Sequence, residues 1–432
     1  MPLSSRNNFY NNIASEIQGD FYFRINTKED IEIYMKRLKK LNVITDTIID
    51  NYKKGIRNKV TMYYINVDYI IQTLQGILKN KSYEFKKDIP LKNIFNKCIL
   101  EYYVKNVNKL LRFLLTDYYP HTSKKLGLCQ YKGGKELYRL IVKDTLLDCA
   151  TPENIHELGE IEVERVFKLK NKLYKDNTKK IDEINNKKEK DIIDKLHSIR
   201  KKLHKNVNNY FHENLKESEN YKIKKIKDKN VDVDVAHYYP SDFNREKKGT
   251  FYINTNNRSN KSELLVLSLH EGTPGHHYQI ERSLKNKDLP IYLKYNDTTS
   301  YIEGWGLYSE NLYEYKDLFE YWYKLKYELL RSCRLVLDTG IHYYGWTKDK
   351  CLKYMEKYID KNNFNEYQRY IDMPAQALTY KMGEQTIIFL RDKYLEKNIN
   401  GLKDFHELIL EIGPMPLDNL ILEFKKKYIL KL

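Results

Sequence analysis

The sequence has no run approaching the roughly 18 consecutive apolar residues that a membrane-spanning helix requires. Its N-terminus, MPLSSRNNFYNNIASEIQGD, lacks the apolar core of a secretory signal. Cysteine is scarce: Cys98, Cys129, Cys149, Cys333 and Cys351 lie far apart, form no C-x-x-C pair and are odd in number. Together these absences predict reduced thiols and a cytoplasmic protein with no membrane partner. No internal repeat is present, and alternating, strand-like patterns are few.

Charge is abundant. Lys and Arg number 76 against 59 Asp and Glu, for a net charge of +17, and 31% of residues are charged. A mean hydropathy of −0.71 indicates a soluble chain, while 41% hydrophobic residues allow a sizeable core. At 432 residues the chain suits one large domain or two to three smaller ones. The positive charge raises the question of nucleic acid. Lysine dominates over arginine, however, and is spread along helical stretches among Glu and Asp, unlike the concentrated patch of a binding face.

Residues from about 27 to 118 carry apolar positions at three and four spacing, as in DIEIYMKRLKKLNVITDTIIDNYKKGI and CILEYYVKNVNKLLRFLLTDYY, and predict long helices. Gly127, Gly133 and Gly134 mark a loop, and KELYRLIVKDTLLDC follows as a helix. Thr151 caps another helix with Pro152 at its first position. The Lys-, Glu- and Asn-rich segment to about residue 228 predicts a solvated helical hairpin. VDVDVAHYY and GTFYINTNN then alternate apolar and polar residues and predict strands. A helix SELLVLSLHE follows, with Ser262 as its cap, and helices dominate from there on. The expectation is a mostly α protein with a small sheet just upstream of His270-Glu271, read as a helical lobe 1–230 and a catalytic lobe 231–432.

LHEGTPGHHYQ, residues 269–279, opens like the metallopeptidase pattern H-E-x-x-H, but Pro274 stands where the second histidine belongs. Proline cannot continue the helix: it has no N–H, and its ring clashes with the carbonyl four residues back. Gly275 adds freedom to turn. On an ideal helix His276 would lie about 120° from the face of His270, whereas His277 would return to within about 20° but two turns away. Either histidine remains open on geometry alone. Glu303 follows Glu271 by 32 positions (303 − 271), which suits a second, antiparallel helix. Two histidines and a carboxylate are a usual ligand set for a catalytic zinc. Glu310, seven residues on, shares a face with Glu303 and can serve as a partner that holds a histidine.

LHEGTPGHHYQ, EGWGLYSE, RLVLDTGIHYYGWT and RYIDMPAQALTYKMGE, in this order, resemble the bacterial family known as domain of unknown function (DUF) 885. VAHYYPSDFNREKKGTFYINTNN and GGKELYRLIV…TPENIHELGEIEVERV add to the resemblance, which covers roughly residues 120–432. The family is regarded as zincin-like, similar to mostly helical gluzincin peptidases with a deep cleft. The resemblance implies one zinc per chain on His270, His276 and Glu303, with Glu271 as general base. It favours His276 over His277, which becomes a partner behind the site or a substrate-facing residue. It implies that His342 and Tyr380 stabilise an oxyanion, and it brings in Asp338 (orienting a ligand histidine, or paired with Arg334) and Gln376 (touching substrate). GTFYINTNN becomes either a sheet edge that receives an extended substrate or a buried structural strand. The chain departs from many relatives in a shorter N-terminus. The expected activity is zinc-dependent hydrolysis of peptides. Its rivals are an inactive zincin-fold binding protein and a basic nucleic-acid-binding protein.

Overall fold

A computed structural model describes residues 8–18, 25–185, 191–212, 220–226, 235–241, 248–255, 261–295, 298–359, 364–397 and 401–430. Helices dominate them, and one three-stranded sheet is present. The chain divides into two compact units. The first comprises Met1–Lys135, Gly345–Lys348 and Phe364–Met373, and the second comprises Glu136–Tyr344, Asp349–Asn363 and Pro374–Leu432. The first unit thus holds the chain up to Lys135 and two later segments, and the second holds the candidate site residues.

The first unit is built on α1 (Phe9–Gln18), α2 (Lys28–Lys39), α3 (Leu41–Arg57), α4 (Tyr64–Lys79), α5 (Lys92–Cys98) and α6 (Lys105–Phe113). Their spacing explains the core. In α3, Leu41, Thr45, Ile48, Ile49 and Tyr52 are buried, one stripe at three and four spacing. Thr27 and Asp30 cap α2 reciprocally, the threonine hydroxyl accepting from the Asp30 amide at 3.1 Å and the carboxylate from the Thr27 amide at 2.9 Å. Residues 92–118 form one helical run in which π-helical turns at Ile99–Val104 and Leu114–Tyr118 flank α6. A short helix, α16 (Phe364–Asp372), belongs to the same unit.

Between the units in sequence runs α7 (Gly134–Thr145). The second unit then continues with α8 (Pro152–Asn185), α9 (Ile192–Asn206), β1 (Lys222–Lys225), β2 (Ala236–Tyr239), β3 (Thr250–Ile253), α10 (Lys261–Glu271), α11 (His276–Lys285), α12 (Ile291–Lys294), α13 (Thr299–Glu310), α14 (Leu318–His342), α15 (Lys348–Tyr358), α17 (Thr379–Leu395), α18 (Leu402–Ile412) and α19 (Leu417–Leu430). The Thr151 hydroxyl accepts from the Asn154 amide at 3.2 Å, so the expected cap of α8 is present. α14 is the central helix. Asp317 caps it, and every residue from Arg331 to His342 is buried. α8 lies along it so closely that a Cβ on Gly159 would fall 2.8 Å from Leu335 and Val336 side-chain atoms. α9 is more than a solvated arm: Ile192, Leu196, Ile199 and Leu203 are buried in the cluster that covers α10.

The sheet has the order β1-β3-β2, with β1 parallel and β2 antiparallel to β3. Two expectations change here. Lys222–Lys225 is a strand inside a stretch read as helical, because its lysines hid the single inward residue Ile223 that packs on the core. GTFYINTNN supplies the central strand, paired on both sides, with Phe251 and Ile253 fully buried. It is a structural strand and presents no free edge to a substrate. Residues 231–234 of VDVDVAHYY lie outside the described residues, and α10 begins at Lys261, which places Ser262 inside the helix.

A buried histidine in α18 makes the fold sensitive to acid. His406 Nδ1 donates to the Tyr210 carbonyl at 2.8 Å, because a carbonyl only accepts, and Nε2 then accepts from the Tyr308 hydroxyl at 2.8 Å. Burial disfavours the charged ring and pushes the imidazole down to about 4. With the folded pKa below the unfolded one, the unfolded chain takes up the proton first. The stability is complete above the ordinary histidine range and is lost as pH falls towards 4. The expected loss is about 3 kcal/mol between pH 7 and 4. Urea midpoints at several pH values should show this slope in the wild type and a shallower one in His406→Gln; equal slopes would contradict it.

Candidate metal centre

Helix α10 ends at Glu271, and α11 begins at His276. The four residues between them form a tight loop with a cis Thr273–Pro274 peptide. Gly275 is needed here for its lack of a side chain: a Cβ would fall 1.9 Å from the His270 carbonyl oxygen. The chain therefore folds back over the end of α10, and the two imidazoles meet with ring centroids 4.6 Å apart. The predicted break and return of the helix is what the structure contains.

Helix α13 supplies the third group. One donor atom each from His270, His276 and Glu303 lie within 4.8 Å of one another. Glu303 Oε2 is 3.3 Å from His270 Nε2 and 3.4 Å from His276 Nε2. On its far side, His270 Nδ1 hydrogen-bonds Glu310 Oε1 at 2.8 Å, which leaves Nε2 for the shared space. Glu310 is thus the carboxylate that orients a candidate ligand, as its seven-residue spacing from Glu303 suggested. Tyr315 donates its hydroxyl to the Glu310 carbonyl at 2.8 Å, and Arg331 lies 3.8 Å from the carboxylate. His270 and His276 are buried, whereas 20% of the Glu303 side chain is exposed, so solvent reaches the cluster from the Glu303 side.

The EGWGLYSE segment is explained position by position. Glu303 joins the histidines. Gly304 meets Gly383 of α17 so closely that a Cβ would lie 2.6 Å from the Gly383 Cα. Trp305 donates its indole N–H to the Pro274 carbonyl at 2.9 Å, tying the loop to α13. Gly306 faces the imidazoles: a Cβ there would lie 2.8 Å from Cε1 of both His270 and His276. Ser309 donates to the Leu269 carbonyl at 2.9 Å, and Glu310 holds His270. Trp305, Gly306 and Ser309 carry no chemistry of their own, which is why their roles were not readable without the fold.

The three groups are electrostatically coupled. Burial opposes a charged imidazole at His270, but hydrogen bonds to Glu303 and Glu310 and the nearby Glu271 charge outweigh it and push the ring up to about 10. Burial likewise opposes the Glu303 carboxylate, yet the two imidazoles hold it well below the usual carboxylate range. Two imidazoles and one carboxylate around a common space, with one imidazole oriented from behind, fit zinc as a donor set. The space that Gly306 leaves beside both rings fits as well. Gly306→Ala is expected to displace the rings and abolish metal retention with little loss of helix. Equal zinc in this variant and the wild type, measured by metal analysis, would contradict that role.

The other predicted residues lie as follows. Glu271 is buried at the end of α10 and outside the three-donor group. His277 faces away from it: its ring is 4.5 Å from that of Tyr221, and its Nδ1 is 2.8 Å from the Tyr238 hydroxyl. His342 is buried at the end of α14, stacked on Tyr138 at 5.3 Å. Tyr380 is in the first turn of α17, with the Arg334 guanidinium 4.4 Å above its ring. Gln376 opens a short 3-10 turn before α17. Asp338 accepts from the Tyr138 hydroxyl and from the Ala375 amide, so Glu310, not Asp338, is the acid on His270.

No helix among the described residues is long and apolar enough to cross a membrane. No curated protein matches the sequence. Similar solved structures include the following two. One is the "putative lipoprotein from Colwellia psychrerythraea", with a TM-score of 0.82 and 21% identity over 95% of this chain and 77% of that one. The other is a "putative lipoprotein of unknown function from Shewanella oneidensis", with a TM-score of 0.70 and 18% identity over 96% and 81%. At these identities the likeness is one of fold. Residues 1–422 match the family described as "Bacterial protein of unknown function (DUF885)", and the chain belongs to that family.

Proposed function

We propose that this protein is a zinc-dependent peptidase of zincin-like type, in which His270, His276 and Glu303 hold the metal. The observation that supports this most directly is the convergence of their three donor atoms within 4.8 Å, with Glu310 behind His270. Zinc, when bound, supplies Lewis acidity and brings the pKa of a bound water towards about 7. Glu271, adjacent to His270, accepts a proton from the attacking water and delivers it to the leaving amine. Tyr380 and His342 are the proposed hydrogen-bond donors to the oxyanion of the tetrahedral stage. A peptide bound at such a site reaches it through the solvent-accessible side at Glu303.

Location is a separate question. The two similar structures are described as lipoproteins, which favours the cell envelope. None of the five cysteines forms a disulfide, which favours a reducing compartment and the cytoplasm. Fractionation of the native cell decides between the two.

The reaction is tested by digesting a peptide library with the zinc-loaded protein and identifying the fragments by mass spectrometry. Defined cleavage sites that vanish in Glu271→Gln support the proposal. Zinc retention without cleavage of any peptide contradicts it and favours a binding protein that keeps the metal site.

A further inference from the structure

We infer that Asp338 is a positioning residue: it tethers the left-handed turn at Ala375 from which Gln376 and Tyr380 are presented. This rests on the peptidase reading only where it concerns catalysis.

Arg331, Arg334, Asp338 and His342 recur at spacings of three, four and four, so they line one face of α14, and all four are buried. At one end of this polar stripe, Arg331 approaches Glu310, which holds His270. One turn on, Arg334 covers the ring of Tyr380. Another turn on, Asp338 Oδ1 accepts two hydrogen bonds, from the Ala375 amide at 3.0 Å and the Tyr138 hydroxyl at 2.5 Å. His342 closes the stripe, stacked on the same Tyr138. The stripe thus runs about 16 Å along the helix, from the surroundings of the candidate ligands to the Tyr138 phenol.

Ala375 is the residue that needs holding. It is fully buried with φ 66° and ψ −11°, a left-handed conformation that a Cβ disfavours. Immediately after it, Gln376–Leu378 forms a 3-10 turn, and α17 begins at Thr379. Tyr380 stands in that first turn, and three residues later Gly383 sits against Gly304, next to Glu303. The start of α17 is therefore fixed at two points: at Gly383 by α13, and at Ala375 by Asp338. Loss of the second point frees the turn to relax to an ordinary conformation and moves Tyr380 while leaving His270, His276 and Glu303 in place. Misplacement of a catalytic group by about 1 Å costs about 10²-fold in rate.

The test uses Asp338→Ala, Asp338→Asn and Tyr138→Phe in the full zinc-loaded chain. Three quantities are read: zinc content, amide hydrogen exchange of residues 375–380, and kcat and KM on a peptide that the wild type cleaves. Asp338→Ala is expected to keep its zinc, to exchange faster at this turn, and to lose about 10²-fold in kcat with KM little changed. Asp338→Asn retains an oxygen that both donors can reach and should restore exchange and kcat close to wild type. Tyr138→Phe removes one of the two donors and should leave the Ala375 tether. Unchanged exchange at 375–380 in Asp338→Ala overturns the tether, and a kcat loss that only tracks lost zinc overturns the positioning role. A wild type that holds zinc and cleaves nothing contradicts the proposed reaction instead, and the exchange measurement still decides the tether.

Discussion

Glu271→Gln is expected to keep its zinc and to lose at least about 10²-fold in peptide hydrolysis, the usual scale for a positioned general base. Glutamine preserves the size of the side chain and most of its hydrogen bonding but cannot accept the proton. Glu271 stands outside the group of three donors, so removal of its charge leaves the ligand set intact. Its charge nevertheless acts on the neighbouring His270 imidazole. Glu303→Gln should behave differently and lose zinc and activity together. Parallel metal analysis and initial rates separate the two variants. A Glu271→Gln protein that cleaves as fast as wild type would contradict the mechanism whatever its metal content.

A large effect on stability is expected at Lys381. Its ammonium group is buried in α17 among three carboxylates, 2.8 Å from Glu384, 2.9 Å from Glu162 and 3.3 Å from Glu328. Burial opposes its charge, but the three carboxylates together raise its pKa above the ordinary lysine value. Arg165 and Lys324 complete the cluster around Glu162 and Glu328. It joins α8, α14 and α17, the helices behind the candidate metal centre. Lys381→Met would leave carboxylates in the interior with too little positive charge, and removal of one partner from a buried pair costs about 3–5 kcal/mol. Lys28→Met, which breaks the exposed Lys28–Glu32 pair, is the control and should change stability by about 0–1 kcal/mol. Urea unfolding measures both. Equal midpoints for Lys381→Met and wild type would show that the cluster contributes little.

The contrast between these residues shows what the sequence made legible. The helices of the first unit were readable because their apolar residues repeat at three and four spacing, as in α3. A histidine pair with Glu303 was legible because metal chemistry permits few residue types at few spacings, the preference for His276 over His277 came from the family resemblance alone, and Glu310 followed from the helical period. β1 was not readable: with one inward residue among lysines, KIKK carries no alternation strong enough to announce a strand. The central position of β3 was equally hidden, since pairing on a second side depends on β1. Gly306 and Gly383 look like helix-weakening glycines until the neighbouring imidazoles and helix are in place. The role of Asp338 depended on a contact with Ala375, 37 residues away, that no local pattern signals. The family match from residue 1 also extends over the N-terminal helices, which lie outside the motif-bearing residues 120–432.

The most direct measurement is zinc per chain, determined on protein purified without chelator for the wild type and for His270→Ala, His276→Ala, His277→Ala and Glu303→Ala. Three convergent ligands predict about one zinc in the wild type. The His270, His276 and Glu303 variants should lose it, while His277→Ala, altered on the side of Tyr221 and Tyr238, should retain it. A wild type without zinc, or the same zinc content in all five proteins, would contradict the assignment of this cluster as a metal centre.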